Sequence, residues 1–478
     1  MLLAVCVAGL TTGCRTYEEK NRVIGYWRAG DVNRAAKEAT ARATASAGGR
    51  NAIIWQLEQG ATLRATGEYA ASNQAFEQAA AGMDDFAQRA RVRVGQEALA
   101  LLSNPANLAY EGRAYDGIML NTYRALNFLA LGKIDRARPE LIRAGQRQQA
   151  AVEDNARRIA RIQSEAAQSQ NRALIDRAAA DPAFQANVRN SLSSVNDVKA
   201  YADYVNPFTV YLDGIYFMAN STGPSDLERA RFSLQRAAGF VPDNDYVRQD
   251  LAALNGRLNR TAAPAPVTYV IFETGRAPLR NQVRIDIPIF FSRVSFIGAA
   301  FPVLQPQGDF LNRLSATADG QRYDTQFLAS MDGMIALDFR NEMPVIITRT
   351  IATAVARAVG AYVINDQARR QGNVAGFFVQ LATAAYQMSV NIADTRTWTT
   401  LPKEFQICRF PTPADGRVVL AAPLGGRVTV TLDRPKNDLT PSGSQANLNR
   451  GSAAPVNVIY VRSIATGASL LVSQFRLK

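Results

Sequence analysis

The 478-residue chain contains no histidine. That removes the commonest general base, the usual zinc and haem ligand, and every Ser-His-Asp or Cys-His mechanism. Cysteine is nearly absent. Cys6, Cys14 and Cys408 are the only three and none forms a CxxC pair, so no zinc site or dithiol redox centre can be assembled within one chain. The phosphate-cradling loops GxGxxG and GxxxxGK[ST] and the nucleophile elbow GxSxG are missing as well. Glu273 is a lone acid with no second carboxylate at a glycosidase spacing. Acidic residues are outnumbered by basic ones, 41 against 54, for a formal charge of +13. These absences point away from an enzyme: the expectation is no catalytic residue, no metal and no cofactor.

What is present is an ordinary globular composition, 47% apolar and 20% charged, in a chain long enough for two or three domains. The basic residues are mostly arginines scattered along helical segments, without an RNP, zinc-finger or helix-turn-helix pattern, so nucleic acid is not the expected partner. Anionic lipid head groups, lipopolysaccharide and cell-wall polymers fit the charge, and so does plain solvation of helix faces.

The first residues, MLLAVCVAGLTTGC, are apolar up to small residues and a cysteine, and the run is too short to span a bilayer. They resemble the end of a bacterial lipoprotein signal. The resemblance implies that residues 1–13 are removed and that Cys14 becomes the lipidated first residue, with acyl chains such as palmitate. More than one chain gives a stable anchor, at about 0.8 kcal/mol per buried methylene. Thr11 stands where leucine is most usual, and no Lys or Arg precedes the run, which is compatible with a start upstream of Met1. A short buried segment with an incidental cysteine is the competing reading. Arg15 in place of an aspartate after the cysteine implies the outer membrane, with the protein on its periplasmic side. Residues 14–21 read as a tether.

Residues 22–258 read as a TPR-like helical domain, organised around residues 109–144. There Ala125 and Phe128 lie on a first helix, Gly132 ends it, and Ala137, Leu141 and Ala144 recur at helical spacing on a second. This is the logic of a tetratricopeptide unit of roughly 34 residues. Gly30 and Gly67 mark earlier turns; Gly60 and Phe76 sit on the helices around the second. An extra helix over 86–103 fits between that hairpin and the central one. Pro207, Gly214, Phe217, Ala230, Leu234 and Ala237 repeat the pattern, and a helix over 244–257 closes the array. Residues 145–203 carry a thin apolar stripe and read as a projecting helical hairpin, or equally as ordinary solenoid helices with solvated outer faces.

Residues 259–266 are a linker by composition, and 267–478 switch to short apolar alternations. VTYVIFETG, VRIDIPIFF and VSFIGAAFPVL read as strands, and further strands return near 404–410, 417–422, 427–433, 455–464 and 468–476. Helices are expected at 330–341, 344–366 and 373–390, the last two apolar almost all round but short of a clean span of about 20 apolar residues. Residues 439–455 read as a loop. The expected fold class is therefore multidomain α + β: an N-terminal TPR-like α-solenoid with a long helical hairpin, and a C-terminal antiparallel β-domain with helices inserted over 330–390.

The order of motifs resembles an uncharacterised group of bacterial lipoproteins with TPR-like N-terminal helices. The resemblance rests on residues 115–127 (YDGIMLNTYRALN), on Asn206-Pro207-Phe208 with Tyr211 and Gly214, on residues 273–278 (ETGRAP) and on residues 393–402 (ADTRTWTTLP). Members are often encoded near small lipoproteins that resemble activators of penicillin-binding proteins, so the resemblance implies envelope proteins as partners.

Two groups of residues are candidates for binding. Tyr115, Asn121, Tyr123 and Asn127 exceed what a repeat core needs, and a polar-aromatic lining suits partner recognition in a solenoid groove; packing against the next hairpin fits them equally. Asp394, Arg396 and Trp398 could bind an anion or a sugar by a charge-assisted fork and a stacking face. The simpler reading is a buried ion pair that pins the last helix to the returning sheet. Cys408, in an apolar strand, reads as core. The function expected is that of an outer-membrane lipoprotein acting as a periplasmic protein-protein interaction scaffold, alone or as a homo-oligomer or larger assembly. The alternative is a cell-wall or carbohydrate-binding module or enzyme that uses the 394–398 segment.

Overall fold

Three glycine turns set the geometry of the first half of the chain. They join α1 (Thr11–Arg28) to α2 (Val32–Ala45), α3 (Ala52–Ala65) to α4 (Tyr69–Val92), and α5 (Ala114–Ala130) to α6 (Ile134–Ala167). Gly30, Gly67 and Gly132 have φ of +75°, +85° and +69°, a region that side chains with a Cβ rarely enter. In each turn the next residue donates its N–H back across the glycine: Asp31 to Tyr26 O at 3.0 Å, Glu68 to Leu63 O at 2.9 Å, Lys133 to Phe128 O at 2.8 Å. That bond satisfies a helix-end carbonyl and folds the next helix back on the last. The computed structural model describes residues 11–92, 108–191, 193, 204–288, 296–370, 393–423, 426–433 and 454–477.

Small residues let the paired helices approach. A Cβ on Gly60 of α3 would lie 2.4 Å from the ring of Phe76 on α4. The same device recurs between α9 (Pro207–Ala219) and α10 (Pro224–Phe240), where a Cβ on Gly214 would meet Leu234 at 2.8 Å. Asn206 caps α9 by accepting from Phe208 N at 3.0 Å, and α11 (Asp245–Leu258) follows. Residues 259–266 are exposed irregular chain, as their composition implies.

The second half holds three sheets. β1 (Val267–Thr274) is the centre of a five-stranded sheet of order β11-β10-β1-β7-β6, with β6 at Gln326–Ser330, β7 at Glu404–Pro411, β10 at Val456–Ser463 and β11 at Leu471–Arg476. β2 (Leu279–Pro288) and β3 (Phe296–Gln305) form a hairpin, and β4 (Ser315–Ala318), β5 (Gln321–Asp324), β8 (Arg417–Ala421) and β9 (Arg427–Thr431) form a four-stranded sheet. The main sheet is mixed and not purely antiparallel, because β1 and β10 run parallel, with Val267 opposite Val456. Their connection is the whole stretch from 275 to 455, long enough for the crossover that a parallel pair demands. Sequence pattern also missed β4 to β6. Asp319-Gly320, with φ of +48° and +75°, turns β4 into β5 and was the available signal.

α12 runs unbroken from Met331 to Arg370, where two helices were expected to part near Pro344. An interior proline costs roughly 3 kcal/mol. Burial on both sides outweighs that cost. Ile335, Phe339 and Met343 join the large core shared by helices and main sheet, while Val345, Ile351 and Val355 join a second core. The second core also corrects the projecting hairpin. Ile162 of α6, Ile175 of α7 (Arg172–Ala179), and Phe184 and Val188 of α8 (Pro182–Ser191) pack with Ile285, Ile287 and Phe301 of the β2–β3 hairpin. The arm is therefore not free: its thin stripe is completed by a hairpin and a helix from far along the chain. Of the extra helix expected over 86–103, residues 86–92 instead continue α4; its remainder, the helix expected over 373–390, the outer part of the 183–203 arm and most of the 439–455 loop lie outside the described residues. The coarse class stands: twelve helices and three sheets in a mixed α and β fold among the described residues, with no closed barrel.

Gly60→Ala is expected to destabilise the protein by about 1–3 kcal/mol in urea unfolding, despite alanine's better helix propensity, because the Phe76 ring has nowhere to retreat. Phe76 is fully buried against Tyr123 and Trp398.

Candidate functional site

Six arginines line one cavity of about 150 Å³: Arg113, Arg158, Arg161, Arg280, Arg349 and Arg396. Only three carboxylates line it with them, Glu111, Glu342 and Asp394. Each wall comes from a different element. The loop before α5 supplies Arg113, α6 supplies Arg158 and Arg161, β2 supplies Arg280, α12 supplies Glu342 and Arg349, and the segment before β7 supplies Asp394 and Arg396.

The charges meet at Glu342. Its carboxylate accepts from Arg113 Nη1, from Arg280 Nη2 at 2.8 Å and from Arg158 Nη2 at 3.0 Å. Burial alone would push Glu342 up, but the three guanidinium groups outweigh it and hold the carboxyl well below its ordinary value. Asp338, one helical turn earlier, lies 3.8 Å from Arg113 and 3.9 Å from Arg280. Burial pushes its carboxyl up, with Glu342 adding to the effect. The Arg349 guanidinium is pulled below its ordinary value by burial and by Arg158 beside it.

The carboxylates do not use up the arginine donors. Arg280 is 1% exposed, yet its Nε and Nη1 have no hydrogen-bond partner among the described residues. Arg113, 8% exposed, has an unpartnered Nε, and so does half-buried Arg349. Buried donors in native proteins are nearly always paired, and charged ones cost most when they are not. A cavity with surplus positive charge and unsatisfied N–H groups on its wall is chemically a receptor for an anion.

Asp116 holds the loop that carries Arg113. Its Oδ2 accepts from Tyr110 OH at 2.5 Å and from Arg113 N at 2.9 Å. Burial pushes this carboxyl from its ordinary 3.8 up to about 6, against the pull of those two donors.

The residues singled out from sequence fall in different places. Asp394 and Arg396 do line the cavity and pair at 2.8 Å. Arg396 also donates to Leu108 O at 2.9 Å and Asn51 Oδ1 at 3.2 Å, so the pair pins its segment to the loops that lead into α5 and α3, in place of the expected tie to the returning sheet. Trp398 is fully buried between Phe76 and Tyr123, its Nε1 donating to Thr400 Oγ1 at 2.9 Å; it offers no stacking face to a sugar. The expected partner groove is likewise filled by the protein itself. Tyr115 and Asn127 are 0% exposed, Asn121 and Tyr123 1%. Tyr115 bonds with Thr397, Asn121 donates to Glu140, Tyr123 donates to Glu273, and Asn127 donates to Ser72 and Asn73. These four are packed core: the segment before β7 covers Tyr115, strand β1 covers Tyr123, and the neighbouring helices α6 and α4 cover Asn121 and Asn127. Glu273 is a buried acceptor for Tyr123 and Tyr460, paired with Arg462 at 3.2 Å beside a second cavity of about 330 Å³. Cys14 lies in α1, and its side chain is outside the described residues; Cys408 is a free, buried core thiol. Among the described residues no His/Cys/Asp/Glu group could hold a metal, and no helix is long and apolar enough to cross a membrane.

Sequence reasoning missed Arg113, Arg280, Glu342 and Arg349. One signal was present: Arg349 interrupts the apolar run VIITRTIATAV, where a lone cation needs a reason.

A carboxyl that binds its proton more tightly in the folded chain adds stability that is complete below pH 3.8 and lost as the pH rises through 6, where charging the buried group opposes folding. In urea unfolding, the stability advantage of the parent chain over Asp116→Asn should therefore decline by up to about 3 kcal/mol between about pH 4 and about pH 7.

No family model, no curated protein sequence and no solved structure matches this chain.

Proposed function

We propose that this chain is an outer-membrane lipoprotein, acylated at Cys14 and facing the periplasm, whose body binds a small anionic ligand and assembles with other envelope proteins. One observation carries the ligand: the unpartnered N–H groups of buried Arg280 and Arg113 on the wall of a cavity with six arginines and three carboxylates. The anchor and its location rest on MLLAVCVAGLTTGC and on Arg15. The TPR-like reading of the helices rests on the repeated glycine turns and on the Gly60–Phe76 and Gly214–Leu234 pairs. The role is binding and not catalysis, since the groups that converge on the cavity are guanidinium donors held in place by carboxylates, which orient an anion without exchanging a proton near neutral pH. The burial of Trp398 counts against the carbohydrate-binding alternative.

Inorganic phosphate should raise the melting temperature and give a saturable heat of binding at low ionic strength, both weakened by salt. Arg349→Ala, which removes a donor with no ion-pair partner among the described residues, should weaken phosphate binding about tenfold while leaving the fold at least as stable. A chain that binds neither phosphate nor pyrophosphate at millimolar concentration would overturn the reading. Separately, a clickable palmitate analogue should label the protein in cells and fail to label Cys14→Ala.

A further inference from the structure

We infer that the ligand of the arginine cavity is an amphiphile: an anionic head group that carries an alkyl chain. The inference rests on the anion-binding reading above and adds the second half of the ligand.

The cavity is not uniform along its length. One stripe of α12 lines it, from Glu342 through Val345, Ile346, Arg349 and Thr353 to Ala354. The twelve residue steps from Glu342 to Ala354 extend about 18 Å along the helix. β3 lines the opposite wall with Pro302, Ala300 and Ile297. The hairpin register orients that wall: Arg280 pairs opposite Leu304, beside Pro302, while Ile297 pairs opposite Ile287. The five residue steps from Pro302 to Ile297 cover about 17 Å of strand, matching the helix. Arg280, Arg113 and Arg158 therefore gather with Glu342 at one end. Towards the other end α12 presents Val345, Ile346 and Ala354 with Arg349, Thr350 and Thr353 among them, α6 adds Ile162 and β3 adds Ile297; Ile162, Val345 and Ala354 belong to the second hydrophobic core.

A bare phosphate or sulfate would occupy only the arginine end and leave the apolar length uncovered. A straight alkyl chain has the shape of that length and lies against the aliphatic side chains of Ile162, Val345, Ile346 and Ala354, while Arg349 stays available to the head group. The charge and the apolar wall thus select one molecule with both properties, and each methylene laid on the wall adds about fourfold in affinity.

The test is a calorimetric series on the full chain: inorganic phosphate, then butyl, hexyl and octyl phosphate below their micelle concentrations. Affinity should climb about fourfold per methylene and level off once the wall is covered. Ile346→Ser should flatten the climb and leave the affinity for inorganic phosphate unchanged. Phosphate binding with no dependence on chain length overturns the amphiphile and leaves the anion site standing; no binding by any member overturns both. Gel filtration after incubation with vesicles that contain labelled phosphatidic acid then separates the two sources of such a ligand. Label eluting with the protein assigns a bilayer lipid, and label staying with the vesicles, beside tight octyl phosphate binding, assigns a soluble amphiphile.

Discussion

Three buried carboxylates hold the helices to the main sheet, and the rest of the molecule is arranged around that seam. Asp250 of α11 accepts from Tyr211 OH and from Tyr269 OH, each at 2.6 Å, and pairs with Arg409 at 2.9 Å. Glu58 of α3 accepts from Thr399 N at 2.6 Å and from the hydroxyls of Thr399 and Thr400, each at 2.7 Å. Glu273 of β1 reaches Tyr123 of α5 in the other direction. Burial pushes the Glu58 and Asp250 carboxyls up against these donors. A buried carboxylate that loses its partners costs several kcal/mol, so the two halves can dock only in the register that satisfies all three. The phenyl rings of Phe208 and Phe405 stack 4.0 Å apart across the same seam.

The arginine cavity differs from this seam in its balance of charge. At the seam each of the three carboxylates accepts from at least two donors or pairs with an arginine, although Arg409 Nε and Arg462 Nη2 are left without a hydrogen-bond partner among the described residues. At the cavity the cations outnumber the carboxylates and keep N–H groups in reserve. Such a surplus destabilises an empty receptor and is relieved when an anion enters, which is a usual relation between a binding site and the stability of its scaffold. α12 makes this possible. It crosses from the large core to the second one, so the same helix carries Glu342 at the charged end of the cavity and Ala354 at the apolar end.

Several features were legible before any coordinates. Glycine at 30, 67 and 132 announced helix ends because the left-handed conformation it permits is a property of one residue. Pro207 marked a helix start for the same local reason. Strands β1, β7 and β10 showed in their apolar runs. The four residues of α5 read as a partner surface were misplaced, because nothing local distinguishes a tyrosine that faces a ligand from one that faces Glu273, 150 residues away.

By itself the sequence determined the periodic and the local: which segments are helices, where they turn, which strands are apolar, and that histidine and paired cysteine chemistry have no part. Only the tertiary structure decided which distant residues share a wall. Arg113, Arg280 and Glu342 meet across intervals of 167 and 62 residues, and β1 finds β10 across most of a domain. Helix and strand preferences act over a few residues, whereas the pairing of charges and the closing of a core depend on which faces remain to be covered after those elements form. That choice is made by burial, and burial belongs to the whole chain.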